Sequence, residues 1–292
     1  MIWLFIVSLV WAFSFALIKN HLPEAHSAAY ATVRLAFALL VFAPMLRPRA
    51  TTVFHAALFT GIGVVQFGLM YLLYMTAFGS LAAEEVVLFT VSTPFFVTLV
   101  DAALSRRAPS LRWLLAAALA VLAATVILWK RADSEALWRG FLLMQASNLC
   151  FAFGQTAYKH LRPRVTGATD ASLFGWLMLG GTLSTFLCSF PMGVDWGAFL
   201  HATTLSQWTV LAYLGTVASG VCFFLWNRGA LQVNAGVLAV FNNLKIPLGV
   251  VCSLGAALLL QSHVPSIQQL ARIGISLLLI LAALRLAMPG RT

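Results

Sequence analysis

Charge is what this chain has least of. Of 292 residues, 9% are charged and only eight are acidic, where a soluble domain carries roughly 25% charged residues. So little charge cannot keep the surface of a water-soluble fold solvated, and the mean hydropathy of +0.93 agrees. Cysteine is scarce as well. Cys150, Cys188, Cys222 and Cys252 all fall in apolar runs without metal-ligand spacing, so they read as packing residues and carry no chemistry. A glycine-rich phosphate loop, a nucleophile paired with a base and a metal-ligand cluster are also missing. These absences argue against a membrane enzyme, and no cofactor or metal is expected. The net charge of +10 comes from bases spread over short connections. That pattern suits a bilayer surface and not nucleic acid.

Apolar sequence is what the chain has in abundance. Stretches of about 17–25 apolar residues can cross the hydrocarbon of a bilayer. Ten are read, at 2–18, 27–46, 56–78, 86–104, 111–129, 141–158, 171–190, 208–226, 237–260 and 267–286. The first lacks a basic leader and a small-residue cleavage site, so it is expected to be a span and not a signal peptide. No connection is long enough to hold a soluble domain. Basic residues set the orientation. Arg47, Arg49, Arg106, Arg107, Arg112, Arg162, Arg164, Arg285 and Arg291 fall on one side, against Lys130, Arg131, Arg139 and Arg272 on the other. The expectation is an all-α polytopic protein of the inner membrane with both termini cytoplasmic.

An internal repeat accompanies the ten spans. Leu9, Ala12, Phe13, Lys19 and Pro23 recur 140 positions later as Leu149, Ala152, Phe153, Lys159 and Pro163. Leu72, Ala77, Ala82, Val87, Pro94 and Val97 recur 153 positions later as Leu225, Ala230, Ala235, Val240, Pro247 and Val250. Two halves, 1–132 and 133–292, then hold five spans each. An odd number inverts the second copy, the plan of many secondary transporters. Pro94 and Pro247 are expected to interrupt the fourth and ninth spans at matching depths. Matched interruptions point to a site near the midplane.

Lys245 stands out within that frame, in Asn242-Asn243-Leu244-Lys245-Ile246-Pro247. An ammonium at membrane depth is costly and normally faces water or a partner, while Pro247 removes a helical N–H. Asn242, Asn243 and Lys245 are therefore candidate binding residues. Gln145, Asn148, Ala152, Gln155 and Lys159 form one stripe of the sixth span. Such a stripe either lines a cavity or bonds to neighbouring helices, and Gln155 and Asn148 are the better cavity candidates. Gln66, Met70 and Tyr74 share a face of the third span, with Tyr71 turned about 100° away. Trp11, Ser14 and Phe15 are the candidates on the first, with Phe15 facing Gln155. Arg34 either lines the cavity or snorkels to a span end. Glu84, Glu85, Lys19 and Lys159 are possible gates, a solvated turn being the alternative for the two acids. Gly61, Gly63, Gly180 and Gly181 are expected to admit close helix approach.

The third and fourth spans read Tyr74-Met75-Thr76-Ala77 and Val91-Ser92-Thr93-Pro94-Phe95-Phe96-Val97. Their second copy reads Trp226-Asn227-Arg228-Gly229-Ala230-Leu231-Gln232 and Asn242-Asn243-Leu244-Lys245-Ile246-Pro247-Leu248. With the duplicated frame, nearly the whole chain resembles the drug/metabolite transporter superfamily in its ten-span EamA-like form. The second copy is similar to the carboxylate, amino-acid and amine branch. The acid often found before the last span of each repeat is absent, since Leu104-Ser105-Arg106-Arg107 and Leu260-Gln261-Ser262-His263 stand there.

The resemblance implies a secondary transporter that exports small organic metabolites, amino acids or related zwitterions, by alternating access through a central cavity. Aromatic walls would suit aromatic substrates. The alternatives are an exchanger of phosphate esters or nucleotide sugars and, from another class, an integral membrane enzyme. Expected partners are the substrate and the lipid bilayer, with a monomer as the default. Every Asp, Glu and His lies at or near a span end, so exchange that follows the substrate gradient is expected without proton coupling.

Overall fold

The computed structural model describes residues 1–22, 26–78, 81, 86, 89–128, 135–259 and 267–288. Helices dominate, and no strand occurs among the described residues. In chain order they are α1 (Ile2–His21), α2 (Ser27–Phe42), α3 (Val53–Gly63), α4 (Met70–Phe78), α5 (Thr93–Leu104), α6 (Leu111–Leu128) and α7 (Glu135–Leu161). Then come α8 (Asp170–Ser189), α9 (Trp196–Ala202), α10 (Leu205–Tyr213), α11 (Cys222–Ala230), α12 (Ala235–Leu259) and α13 (Ile267–Ala287). Wide π-type turns, Val64–Leu69 and Leu214–Val221, join α3 to α4 and α10 to α11 without a break in the rod.

Five stretches of the described residues are long and apolar enough to cross a membrane: Ser27–Met45, Val53–Ala77, Asp170–Ser189, Leu205–Ala230 and Leu270–Ala287. Four shorter apolar helices accompany them, within Ile2–Ser14, Thr90–Leu104, Leu111–Ala123 and Ala235–Leu248. The molecule is a multi-pass, all-helical inner-membrane protein. Polar side chains set the helix starts. The Thr52, Thr169 and Asp195 side chains each accept from a backbone N–H of the first turn, and Thr204 forms a capping box with Gln207. Each satisfies donors that the start of a helix leaves orphaned.

Packing brings the two halves of the chain together. α1 lies against α11 and α12, while α7 lies against α4 and α5. α2 packs on α8, α5 on α12, and α6 on α13. Small residues make the closest crossing. A methyl group on Gly63 would stand 1.9 Å from the Leu177 carbonyl oxygen, and one on Gly180 would stand 2.0 Å from that of Thr60. Only glycine lets α3 and α8 approach so closely. Gly61 departs from the expectation, because nothing lies within 4 Å of its would-be Cβ. It sits one helical face away from the contact.

The two prolines are not equivalent. Pro94 falls in the first turn of α5, behind the tighter turn Thr90–Ser92, where a missing N–H costs least. Pro247 instead lies inside α12, which continues to Leu259. Matched interruptions therefore reduce to one broken turn, on α5. Side chains take up its carbonyls. Asn148 Nδ2 donates to Phe89 at 2.6 Å, Thr93 Oγ1 to Thr90 at 2.6 Å and Asn243 Nδ2 to Val91 at 2.9 Å.

Candidate functional site

The broken turn of α5 opens onto a cavity of about 670 Å³, counting its mouth. α1 contributes Trp11, Ser14 and Ile18, and α4 contributes Met70, Tyr71 and Tyr74. Thr90, Thr93, Ser147, Asn148 and Phe151 form the opposite wall. Phe223 of α11, Lys245 of α12 and Arg34 of α2 complete it.

Its apolar surface is an aromatic cluster centred on Trp11. The Trp11 ring lies 4.8 Å from Phe223, 5.0 Å from Trp226 and 6.1 Å from Phe151, centre to centre. Tyr71 stands edge-on to both Tyr74 and Phe223. Trp11 is fixed in place because its Nε1 donates to the Ala218 carbonyl at 2.9 Å. That carbonyl lies in the wide turn Leu214–Val221, where the helical ladder is disturbed.

Two cations border the aromatic surface. Lys245 Nζ stands 5.8 Å from the Trp11 ring centre, within reach of a cation–π attraction. Arg34 is 3% exposed, with its guanidinium carbon 4.8 Å from the centre of the Tyr71 ring. Its Nη2 donates to Tyr71 Oη at 2.9 Å and to Ser219 Oγ at 3.2 Å. Among the described acids, Asp101 meets His160 at 2.9 Å, Asp170 meets Arg162 and lies 3.9 Å from Arg228, and Asp195 caps α9. None of these reaches the cavity.

Of the nine candidate substrate-binding residues, five line this cavity together: Lys245, Asn148, Tyr74, Trp11 and Ser14. Four others are buried elsewhere. Asn243 clamps α12 to the α5 turn and also donates to Ala120 at 3.2 Å. Asn242 donates to Leu238 within its own helix at 2.9 Å. Gln155 Oε1 accepts from Trp226 Nε1 at 2.7 Å, and Gln66 Nε2 donates to Asn227 at 3.0 Å. All four are 0% exposed. Gln66 leaves the Met70–Tyr74 face because it sits in the wide turn, whose extra residue slips the helical register. Gln145 bonds Ser92 and the Phe89 carbonyl, so much of the polar stripe on α7 ties helices together.

Lys159 lies at the far end of α7, partly buried beside His160. Glu84 and Glu85 fall outside the described residues, as do the side chains of Lys19 and Phe15. Residues that sequence reasoning ranked low or passed over are Arg34, Tyr71, Phe151 and Phe223.

Comparison with known proteins agrees with this architecture. Residues 1–129 match the model of the EamA-like transporter family. A biotin transporter of Escherichia coli is 37% identical over 254 residues, 86% of this chain and 83% of that protein. Another, of Salmonella typhimurium, is 38% identical over 266 residues, 90% of this chain and 86% of that one. A probable biotin transporter of Pseudomonas aeruginosa is 38% identical, over 86% of this chain and 87% of that protein. A solved crystal structure superposes with a TM-score of 0.70, covering 98% of this chain and 96% of its own at 16% identity. That likeness concerns the fold alone.

Proposed function

Because this chain belongs to the EamA-like transporter family, we propose that the small molecule it moves across the bilayer is biotin or a closely similar monocarboxylate. The observation that carries this reading is the cavity, where an aromatic surface is bordered by two cations with no described acid beside them. Biotin has an apolar bicyclic body, a ureido group and a valerate carboxylate. An apolar pocket with a few placed polar groups suits such a molecule. Amino acids, the substrates implied by the sequence resemblance, share the carboxylate and the apolar part. The relatives named as biotin transporters favour biotin between the two.

Ten crossings in two inverted halves, 1–132 and 133–292, are the architecture proposed. Its support is the matched packing: the partners of α1 are α11 and α12, and those of α7 are their counterparts α4 and α5. A wide turn also falls in both the α3–α4 and the α10–α11 rod. With both termini cytoplasmic, the cavity lies between the midplane and the outer ends of α1 and α4. Rocking of one half against the other would carry substrate across the bilayer.

Counterflow in liposomes tests the substrate. Labelled biotin should enter vesicles preloaded with unlabelled biotin, saturably, and aromatic amino acids should not compete. Competition by phenylalanine at similar concentrations would return the reading to amino acids. Competition by a sugar phosphate would favour the phosphate-ester alternative.

A further inference from the structure

Arg34 is buried in the cavity wall, and most of its hydrogen-bonding capacity is unused. Tyr71 and Ser219 engage Nη2, whereas Nε and Nη1 are buried without a hydrogen-bond partner. Both partners are neutral. No described acid lies beside it, and a buried guanidinium without a counter-charge is strongly unfavourable, so the arrangement suits an anion. We infer that Arg34 is the carboxylate anchor of the substrate site, with Tyr71 and Ser219 positioning its guanidinium. The inference rests on the monocarboxylate reading above and adds which cation takes the charged end.

Several contacts hold the side chain ready. The wide turn Leu214–Val221 presses on α2, leaving a would-be methyl group on Gly215 only 2.7 Å from the Arg34 carbonyl oxygen. The same turn supplies Ser219, whose Oγ lies 2.9 Å from Tyr71 Oη. Backbone and head group are thus fixed from two sides, which limits the entropy lost when an anion binds. Arginine presents several N–H donors in a planar fork suited to a carboxylate. Lys245 has a different setting. Its ammonium faces the Trp11 ring and makes no hydrogen bond or ion pair among the described residues. It can donate to a neutral acceptor such as the ureido carbonyl while the carboxylate sits on Arg34.

The test compares an acid with its neutral amide, by thermal stabilisation of purified protein and by counterflow. Wild type should prefer biotin over its carboxamide by about ten- to a hundredfold, the range of one charge-assisted hydrogen bond. Arg34→Gln should bring the two within about threefold of each other. Lys245→Gln should weaken both ligands and keep the acid preference. That second variant answers the question even if Arg34→Gln fails to fold. Loss of the preference in Lys245→Gln, or its survival in Arg34→Gln, overturns the assignment. If wild type does not bind biotin, the substrate reading fails on its own. Phenylpropionate and its amide then make the same comparison, and equal binding of that pair by wild type refutes Arg34 as an anion site.

Discussion

Gln155 shows how burial changes the meaning of a polar residue. As one position of a polar stripe it was a binding candidate; in the fold it is fully buried and accepts the Trp226 indole hydrogen bond. Replacing it with leucine removes that acceptor and strands a buried N–H, which costs about 1–3 kcal/mol. Gln155→Leu should therefore lower the melting temperature in detergent while leaving substrate affinity within about twofold of wild type. A large loss of affinity at unchanged stability would return Gln155 to the site. Trp11, Ser14, Asn148, Tyr74 and Lys245 were legible as cavity residues because each is polar or aromatic on a span that had to be wet somewhere. Arg34 was not, since its position near a span end favoured snorkelling or a structural pairing. Only the packing of α2 against the wide turn takes that route away.

Helix contacts decide stability at the scale of elements. The α3–α8 crossing has no room for a methyl group at Gly180, because the clashing atom is the Thr60 backbone oxygen and cannot swing aside. Gly180→Ala should destabilise the protein by about 1–3 kcal/mol or more, the usual cost of overpacking. Gly61→Ala is the matched control, with open space at its Cβ. It should be neutral or slightly stabilising, since alanine is the better helix former by about 1 kcal/mol. Residual monodisperse protein after graded heating checks both. Wide turns are what sequence periodicity misses. A strict 3.6-residue repeat carried through Val64–Leu69 puts Gln66 on the cavity face, whereas the extra residue of the turn delivers it to Asn227.

Topology and energetics belong to the whole molecule. Proposed orientation predicts that Ala50→Cys reacts with impermeant thiol reagents only from the cytoplasmic side. His201→Cys, on an exposed position of α9, should react from outside in intact cells. The reverse pattern would turn the molecule over. Coupling follows from where the acids lie. Asp101 and Asp170 are engaged at helix ends by His160 and Arg162, and neither borders the cavity. Transport should follow the substrate gradient, and an imposed pH gradient should change the initial rate by less than about twofold. Accumulation that collapses with a protonophore would require a proton carrier, with Glu84 and Glu85 the first positions to replace.

Composition and periodicity alone determined that this chain lives in a bilayer and that it is helical. Lipid offers backbone groups no partner, so helices are the form such apolar runs take, and apolar length is a local property of sequence. Which polar groups meet in the cavity is not local. It depends on the glycine crossing of α3 and α8, on two wide turns that shift register, and on the α5 turn that Asn148, Thr93 and Asn243 complete. Each joins residues from distant parts of the chain, as when Asn243 reaches Val91. The choice between a side chain that ties helices and one that faces substrate was therefore made by tertiary packing.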